Sequence, residues 1–199
     1  FYTSVSVMSS SKIEGETLEL DSYVKHKMLI TNYLPELTEK PNDLYNAYLF
    51  AKDNHLTQTN FLNAHKLISK HLLPASQRGE LRKNEMLVME HNTGRIQYEA
   101  ALAANVDALF NEFWVEINDL ISYKMSLEEI FYFASYIHLV FVNIHPFNDG
   151  NGRIARLLEK WFLAEKLGER AWYIKSEKYY YQNVNAYYKN LSRLGVFYD

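Results

Sequence analysis

The chain has 199 residues, 48% hydrophobic and 15% aromatic, a length and composition that suit one hydrophobic core and a single domain over residues 1–199. A formal net charge of −3 offers no electrostatic basis for nucleic-acid binding, and the absence of cysteine excludes disulfides and thiolate metal sites. No signal peptide or membrane-spanning segment is evident, so we expect no membrane partner and a cytoplasmic location, with which a cysteine-free chain is compatible.

The first 16 residues allow two interpretations. In one, Ser11 and Glu14 form a capping box that opens a helix. In the other, a short helix ends at Glu14 and Gly15 stops it, because glycine readily adopts the left-handed conformation that closes helices. The residues by themselves leave both interpretations open.

Helical spacing of apolar residues predicts the next elements. Residues 18–34 predict a helix that Pro35 closes, and Asn42 or Asp43 is a candidate cap for a helix over 44–52. Thr57 predicts the start of another helix. Four histidines lack ligand-like spacing with carboxylates, so we interpret them as structural or surface residues: His55, His65, His71 and His91.

Residues 79–98 carry the one clear β signal. Two apolar runs flank Asn92-Thr93-Gly94, which predicts a hairpin. Residues 100–121 then show the spacing of an amphipathic core helix.

The next helix has a capping box, with Ser126 as N-cap and Glu129 reaching back. Residues 130–142 are almost all apolar but too few to span a bilayer, which predicts a helix buried on most sides. It should end near Ile144, because the residue before Pro146 is disfavoured in the α region.

Helical spacing resumes at residue 154 and ends at Gly168, an expected helix stop. The aromatic stretch 172–181 is ambiguous, and residues 184–191 suggest a last helix. The whole pattern predicts an all-α, mainly helical fold with one small hairpin.

The loop between the two apolar helices concentrates the chemistry. It places Gly150 and Gly152 at a helix N-terminus, where unpaired N–H groups and the helix dipole favour an anion. Arg153 and Arg156 are three residues apart, so both can lie on one helix face and grip phosphate oxygens. The alternative, from the residues alone, is a plain turn between helices.

Two further side chains of this loop suit chemistry on a phosphate. Asp149 is a hard oxygen ligand, appropriate for Mg²⁺ that arrives with a polyphosphate. His145 has an ordinary pKa of roughly 6.5 and is a candidate general base. Phe147, between polar neighbours, is expected to anchor the loop in the core.

The run His145-Pro-Phe-Asn-Asp-Gly-Asn-Gly-Arg-Ile-Ala-Arg156 resembles the signature of the Fic family, His-x-Phe-x-Asp/Glu-Gly-Asn-Gly-Arg-x-x-Arg, at every specified position. The resemblance implies an all-α Fic fold that transfers AMP from ATP to a Ser, Thr or Tyr hydroxyl of a protein. The Doc branch, which is similar to phosphotransferases, departs from this version of the loop.

The resemblance also implies roles for individual residues. His145 would deprotonate the target hydroxyl, and Asp149 would hold Mg²⁺ on the phosphates of ATP. The residues implied to bind those phosphates are Gly150, Asn151, Gly152, Arg153 and Arg156.

Residues 1–16 resemble the family's inhibitory segment. Ser10, Glu14 and Gly15 fit its motif, Ser/Thr-x-x-x-Glu-Gly/Asn, and the resemblance favours a helix that ends at Glu14 over the capping box. Glu14 would then pair with Arg156 and deny it to the γ-phosphate, since a carboxylate and a phosphate compete for one guanidinium.

The hairpin at about 79–98 would be the family's flap, which begins near Arg82 and pairs with the backbone of the target protein. A plain surface hairpin is the alternative. Two rival functions remain: removal of AMP or transfer of another phosphate-linked group at the same site, and a non-enzymatic ATP-binding interaction module. Self-modification and homo-oligomerisation stay open as well.

Overall fold

The structure is a computed structural model that describes residues 1–89 and 96–194. These ranges are mainly helical, which confirms the predicted fold class. The helices are α1 (Tyr2–Ile13), α2 (Leu20–Lys27), α3 (Pro35–Lys52), α4 (Gln58–Ile68), α5 (Val106–Ser122), α6 (Leu127–Ile144), α7 (Asn151–Leu167), α8 (Ser176–Gln182) and α9 (Val184–Leu191).

One antiparallel hairpin accompanies the helices. Strand β1 (Leu87–Met89) pairs with β2 (Ile96–Glu99), with a register shift between Val88 and Met89. The predicted hairpin is therefore confirmed in its two strands. Its predicted turn, Asn92-Thr93-Gly94, and His91 lie outside the described residues.

Helix α7 lies at the centre of the described fold. Twelve of its residues are buried, and it contacts α1, α3, α4, α5 and α6. Phe147, just before it, is fully buried among aromatic rings, as expected of a core anchor. These rings are Phe61, Phe110, Phe141 and His65. The loop before α7, which holds the predicted site residues, is thus anchored to the core through Phe147.

Several helix ends follow the sequence signals. Thr57 Oγ1 accepts a hydrogen bond from the Asn60 amide (3.2 Å) at the start of α4. The capping box of α6 is complete, since Ser126 Oγ accepts from the Glu129 amide (3.2 Å) and Glu129 Oε2 accepts from the Ser126 amide (2.7 Å). Gly168 closes α7 with a φ of 75°.

Two predictions for the first half of the chain are wrong. Helix α2 ends at Lys27, because Leu29 takes a left-handed conformation (φ 58°) and closes the helix early. Pro35 begins α3 rather than closing α2, since proline lacks only an N–H that the first helical position does not use. No new cap occurs at Asp43, whose carboxylate instead accepts from the His71 amide (3.0 Å).

The expectation that α6 is buried on most sides is also wrong. Helix α6 buries one face and exposes several apolar residues on the other: Leu127, Phe131, Tyr132 and Tyr136. A continuous apolar run carries no periodicity from which the two faces could be told apart. Of the described residues, α6 is the one helix apolar and long enough to cross a membrane (18 residues, mean hydropathy 1.3), a weak indication because core helices meet the same criteria.

Helix α1 is rich in serine, yet ten of its twelve residues are buried. It ends at Ile13, followed by Glu14 and by Gly15 with a φ of 89°, so the helix-end interpretation is confirmed over the capping box. Inside the fold, the ammonium of Lys160 donates to Ser6 Oγ of α1 (3.0 Å) and to Glu177 (2.6 Å). Lys160 and Glu177 are fully buried, so this ion pair ties α1 to α7 and α8.

Candidate active site

His145 lies directly after α6 and has a left-handed backbone conformation, with φ 51° and ψ 57°. Its Nδ1–H donates to the carbonyl of Val142 (3.1 Å), which leaves Nε2 as the unprotonated nitrogen. Nε2 makes no hydrogen bond to the residues that the structure describes. Burial lowers the pKa of His145 below its ordinary value, so the imidazole is neutral near pH 7 and suited to accept a proton.

Arg82 holds the end of α6 in place. Its buried guanidinium donates to the carbonyls of His145 (2.7 Å), Ile144 (3.3 Å) and Asn84 (2.8 Å), and also to Ala101. The contacts with Ile144 and His145 satisfy carbonyls that the C-terminus of α6 leaves without partners. The sequence indicated Arg82 only as the start of the hairpin, and its contact with the loop follows from the fold.

The backbone of the loop is braced by side chains. The imidazole of His65 stacks on Phe147 (3.6 Å between ring centroids), accepts from the Gly79 amide and donates to the Asp149 carbonyl (2.9 Å). Burial lowers the pKa of His65 to about 4, in keeping with its predicted structural role. Asn151 donates to the carbonyl of Phe147 (2.8 Å), so its side chain is used within the loop.

Helix α7 begins at the two glycines. Gly150 is its N-cap with a φ of 82°, a conformation that disfavours other residues. The Asp149 side chain is exposed, and its Oδ1 accepts from the Gly150 amide (2.5 Å). Within residues 1–89 and 96–194, no three His, Asp or Glu side chains form a metal-binding group. The role of Asp149 as a ligand of a cation bound with phosphates stays a prediction.

Glu14 reaches across from the end of α1 to the start of α7. Its Oε1 accepts from Nη2 of Arg156 at 2.6 Å, and a Cβ added at Gly152 would lie 2.5 Å from that oxygen. The carboxylate therefore rests against the glycine backbone where an anion is expected to bind. Burial acts to raise the pKa of Glu14, but Arg156 and Arg153 lower it below its ordinary value.

The two signature arginines are placed differently. Arg156 lines the cavity beside Glu14, whereas Arg153 does not line it and lies 3.6 Å from Glu16. Arg153 is buried, and its Nε has no hydrogen-bond partner among the described residues. The unpaired Nε of Arg153 is a donor that suits an anion, and the Glu14 oxygen beside Gly152 shows that the glycine leaves room for one. The binding role of Arg153 stays a prediction.

A cavity of about 270 Å³ joins these groups. Its walls come from the ends of α1, α6 and α9, the start of α7 and the second strand. The sequence did not single out four residues that line the cavity beside Tyr187 and Tyr188: Tyr98, Asn143, Leu191 and Ser192. The Tyr98 hydroxyl donates to the Asn143 carbonyl (2.8 Å), which fixes the base of the hairpin beside the cavity.

The fold and the loop define a helical protein with a glycine-containing turn at a helix N-terminus next to a neutral histidine. The chain belongs to the Fic/DOC family, whose model matches residues 55–163, more than half of its length. Proteins with this domain are transferases. A relative from Aedes aegypti, Protein adenylyltransferase Fic, is 31% identical over 113 residues, which is 57% of this chain and 20% of that relative.

Solved structures show the same fold. A Fic family protein from Desulfovibrio desulfuricans G20 matches with a TM-score of 0.82 at 20% identity, over 96% of this chain and 56% of that one. A Fic domain containing signaling protein from Bacteroides thetaiotaomicron gives 0.66 at 18% identity, over 96% and 83%. Fic-1 from C. elegans gives 0.66 at 20% identity, over 96% and 56%. The chain spans about half the length of two of these structures.

Proposed function

We propose that this protein is a protein adenylyltransferase that moves AMP from ATP to a hydroxyl side chain of a protein. The observation that carries the proposal is the orientation of His145. Its Nδ1–H is engaged by Val142, so its unprotonated Nε2 is the nitrogen available to the cavity at the start of α7. A base beside an anion-binding helix end suits attack of a hydroxyl on a phosphate. The adenylyltransferase from Aedes aegypti supports the same activity.

The groups around the cavity give the proposed reaction its steps. His145 Nε2 takes the proton of a Ser, Thr or Tyr hydroxyl, and that oxygen attacks the α-phosphorus of ATP. The bond from the α-phosphorus to the bridging oxygen breaks, and pyrophosphate leaves. The glycine backbone and Arg156 hold the outer phosphates, with Arg153 nearby. Asp149 would hold Mg²⁺, which when bound would neutralise charge on those phosphates, and positioning and electrostatics would then lower the barrier.

Glu14 is proposed to inhibit the transfer reaction. In the arrangement described here its carboxylate holds Arg156 and lies against Gly152. ATP would have to displace it before the outer phosphates reach the same guanidinium. The protein is therefore proposed to be autoinhibited, and Glu14→Gly is the form in which transfer is best measured.

The target protein is proposed to bind along the hairpin. Tyr98 of strand β2 borders the cavity. An extended segment of a target could form backbone hydrogen bonds with the hairpin. The modified hydroxyl would then reach His145.

The experiment uses ATP labelled on the α-phosphate in one reaction and on the γ-phosphate in another. Each is incubated with Mg²⁺ and with wild type, Glu14→Gly or His145→Ala, and label is read on the protein itself and on proteins of an added lysate. We expect label from the α-phosphate alone, strongest with Glu14→Gly and absent with His145→Ala, which should still bind ATP. Label from the γ-phosphate alone would mean phosphotransfer and would contradict the proposal.

Removal of AMP is a second candidate, favoured by one observation. The Glu14 carboxylate lines the same cavity as His145, where it could act as a base toward water. A target already modified with labelled AMP separates the two functions, because removal releases the label into solution in wild type and not in Glu14→Gly.

A further inference from the structure

The guanidinium of Arg156 is held from two sides. From α1, Ser10 Oγ accepts from Nε (2.8 Å), the Ser10 carbonyl accepts from Nη2 (3.2 Å), and Glu14 accepts from Nη2 (2.6 Å). From α9, the Tyr187 hydroxyl accepts from Nη1 (3.3 Å). When Glu14 moves away, Nη2 loses its contact with the carboxylate, whereas the contacts of the guanidinium with Ser10 and of Nη1 with Tyr187 do not involve Glu14.

Tyr187 is itself the end of a buried chain of hydrogen bonds. Its hydroxyl lies 3.0 Å from Nε2 of His138, and Nδ1 of His138 lies 2.6 Å from Oε2 of Glu159. Tyr180 donates to both oxygens of Glu159 (2.9 Å each). His138, Glu159 and Tyr187 are all more than nine-tenths buried.

The donors and acceptors of this chain fit one arrangement. Glu159 accepts from Nδ1–H of His138, Nε2 of His138 accepts from the Tyr187 hydroxyl, and the Tyr187 oxygen accepts from Arg156. Every member has a partner, and hydrogen bonds arranged in series strengthen one another.

We propose that Tyr187, held by His138 and Glu159, is a positioning residue that aims Arg156 at the outer phosphates of a nucleoside triphosphate. This inference rests on the proposed function and assigns a role to residues outside the signature loop. Packing alone does not account for this series of hydrogen bonds, because burying a histidine and a carboxylate costs desolvation free energy that apolar residues would avoid. The hydrogen-bonded series Glu159–His138–Tyr187 contributes a fixed orientation of Nη1 of Arg156 to the site.

Tyr187→Phe isolates the hydroxyl. The phenyl ring keeps its packing and its place near the Arg156 guanidinium, which lies 6.0 Å from the ring centroid. The variant is made in the Glu14→Gly form, so that Glu14 no longer holds Arg156 and the contact with Tyr187 is tested beside those with Ser10. The measurements are the dissociation constants for ATP and for AMP with Mg²⁺ by calorimetry, since AMP lacks the outer phosphates.

We expect Tyr187→Phe to weaken ATP binding about 3- to 10-fold, the range expected for one hydrogen bond, and to leave AMP binding unchanged. The matched control is Tyr179→Phe, which removes a hydroxyl from an exposed tyrosine of α8 and should change neither constant. His138→Gln, which retains a donor and an acceptor, should bind ATP more tightly than His138→Leu.

Two results would overturn the positioning role: an unchanged ATP constant in Tyr187→Phe, or equal weakening of ATP and AMP, which would indicate general damage to the cavity. Thermal unfolding checks each variant, and Tyr187→Phe alone decides the question if His138→Leu does not fold. The titrations involve no transfer. If Tyr187→Phe weakens ATP binding and not AMP binding, but no label is transferred from the α-phosphate, the proposed function alone is contradicted. If label is transferred, but Tyr187→Phe leaves the ratio of the ATP and AMP dissociation constants unchanged, the positioning role alone is contradicted.

Discussion

Glu14→Gly should increase AMP transfer by removing a competitor for Arg156. In the structure Glu14 contributes one charge-assisted hydrogen bond of 2.6 Å to a buried guanidinium. Such bonds contribute about 1.5–3 kcal/mol, and about 1.4 kcal/mol corresponds to a tenfold change in an equilibrium constant. ATP no longer has to break this contact in the variant, so we expect its apparent affinity to rise roughly 10- to 100-fold.

The assay measures ATP affinity by calorimetry and initial rates of α-label transfer for wild type, Glu14→Gly and Glu14→Gln. Glu14→Gln keeps the size of the side chain and removes its charge, so it should give most of the increase if competition is electrostatic. Glu19→Gln is the control, because Glu19 is an exposed carboxylate that pairs with Lys12 of α1. Equal affinity and equal rates for wild type and Glu14→Gly would refute the reasoning.

Three further predictions follow from the same geometry. The pKa of Glu14 is lowered from 4.5, so its contact with Arg156 should stabilise the fold fully above about pH 4.5. This stabilisation should be lost as the pH falls through the lower pKa of the folded state. Urea unfolding of wild type and Glu14→Gln at about pH 7 and about pH 4 tests this. Burial lowers the pKa of His145 from 6.5, so the acid limb of the rate profile of Glu14→Gly should lie below pH 6.5, and a midpoint above that value would contradict the base assignment. Arg82→Met should lower the free energy of unfolding by about 3 kcal/mol or more, with Arg82→Lys intermediate in thermal melts, because buried carbonyls lose their donors.

Local signals predicted the elements near the site well. The cap at Thr57, the capping box at Ser126 and the glycine stops at Gly15 and Gly168 each depend on residues within a few positions of one another, and each is present. The loop could be assigned to a helix N-terminus for the same reason. Sequence also placed a hairpin before α5, although α5 itself begins at Val106, after a 3₁₀ turn over Ala103–Asn105.

Contacts between distant parts of the chain could not be predicted in this way. Nothing local indicates that Tyr187 meets Arg156, or that Arg82 donates to the carbonyl of His145, because helix packing alone brings them together. Leu29 gave no warning of its left-handed conformation, since glycine or asparagine usually takes that position. Pro41 lies within α3, where it is buried and where proline is ordinarily a helix breaker.

The burial of α1 limits how the proposed inhibition by Glu14 could be relieved. Ten residues of this helix and the ion pair beneath Ser6 would lose their surroundings if α1 detached, so its release would amount to partial unfolding of the domain. Movement of the last turn, from Ile13 to Gly15, would be enough to withdraw the carboxylate. If the proposed inhibition holds, an activator would need to act only on that turn, and the segment that carries Glu14 is at the same time part of what keeps the domain folded.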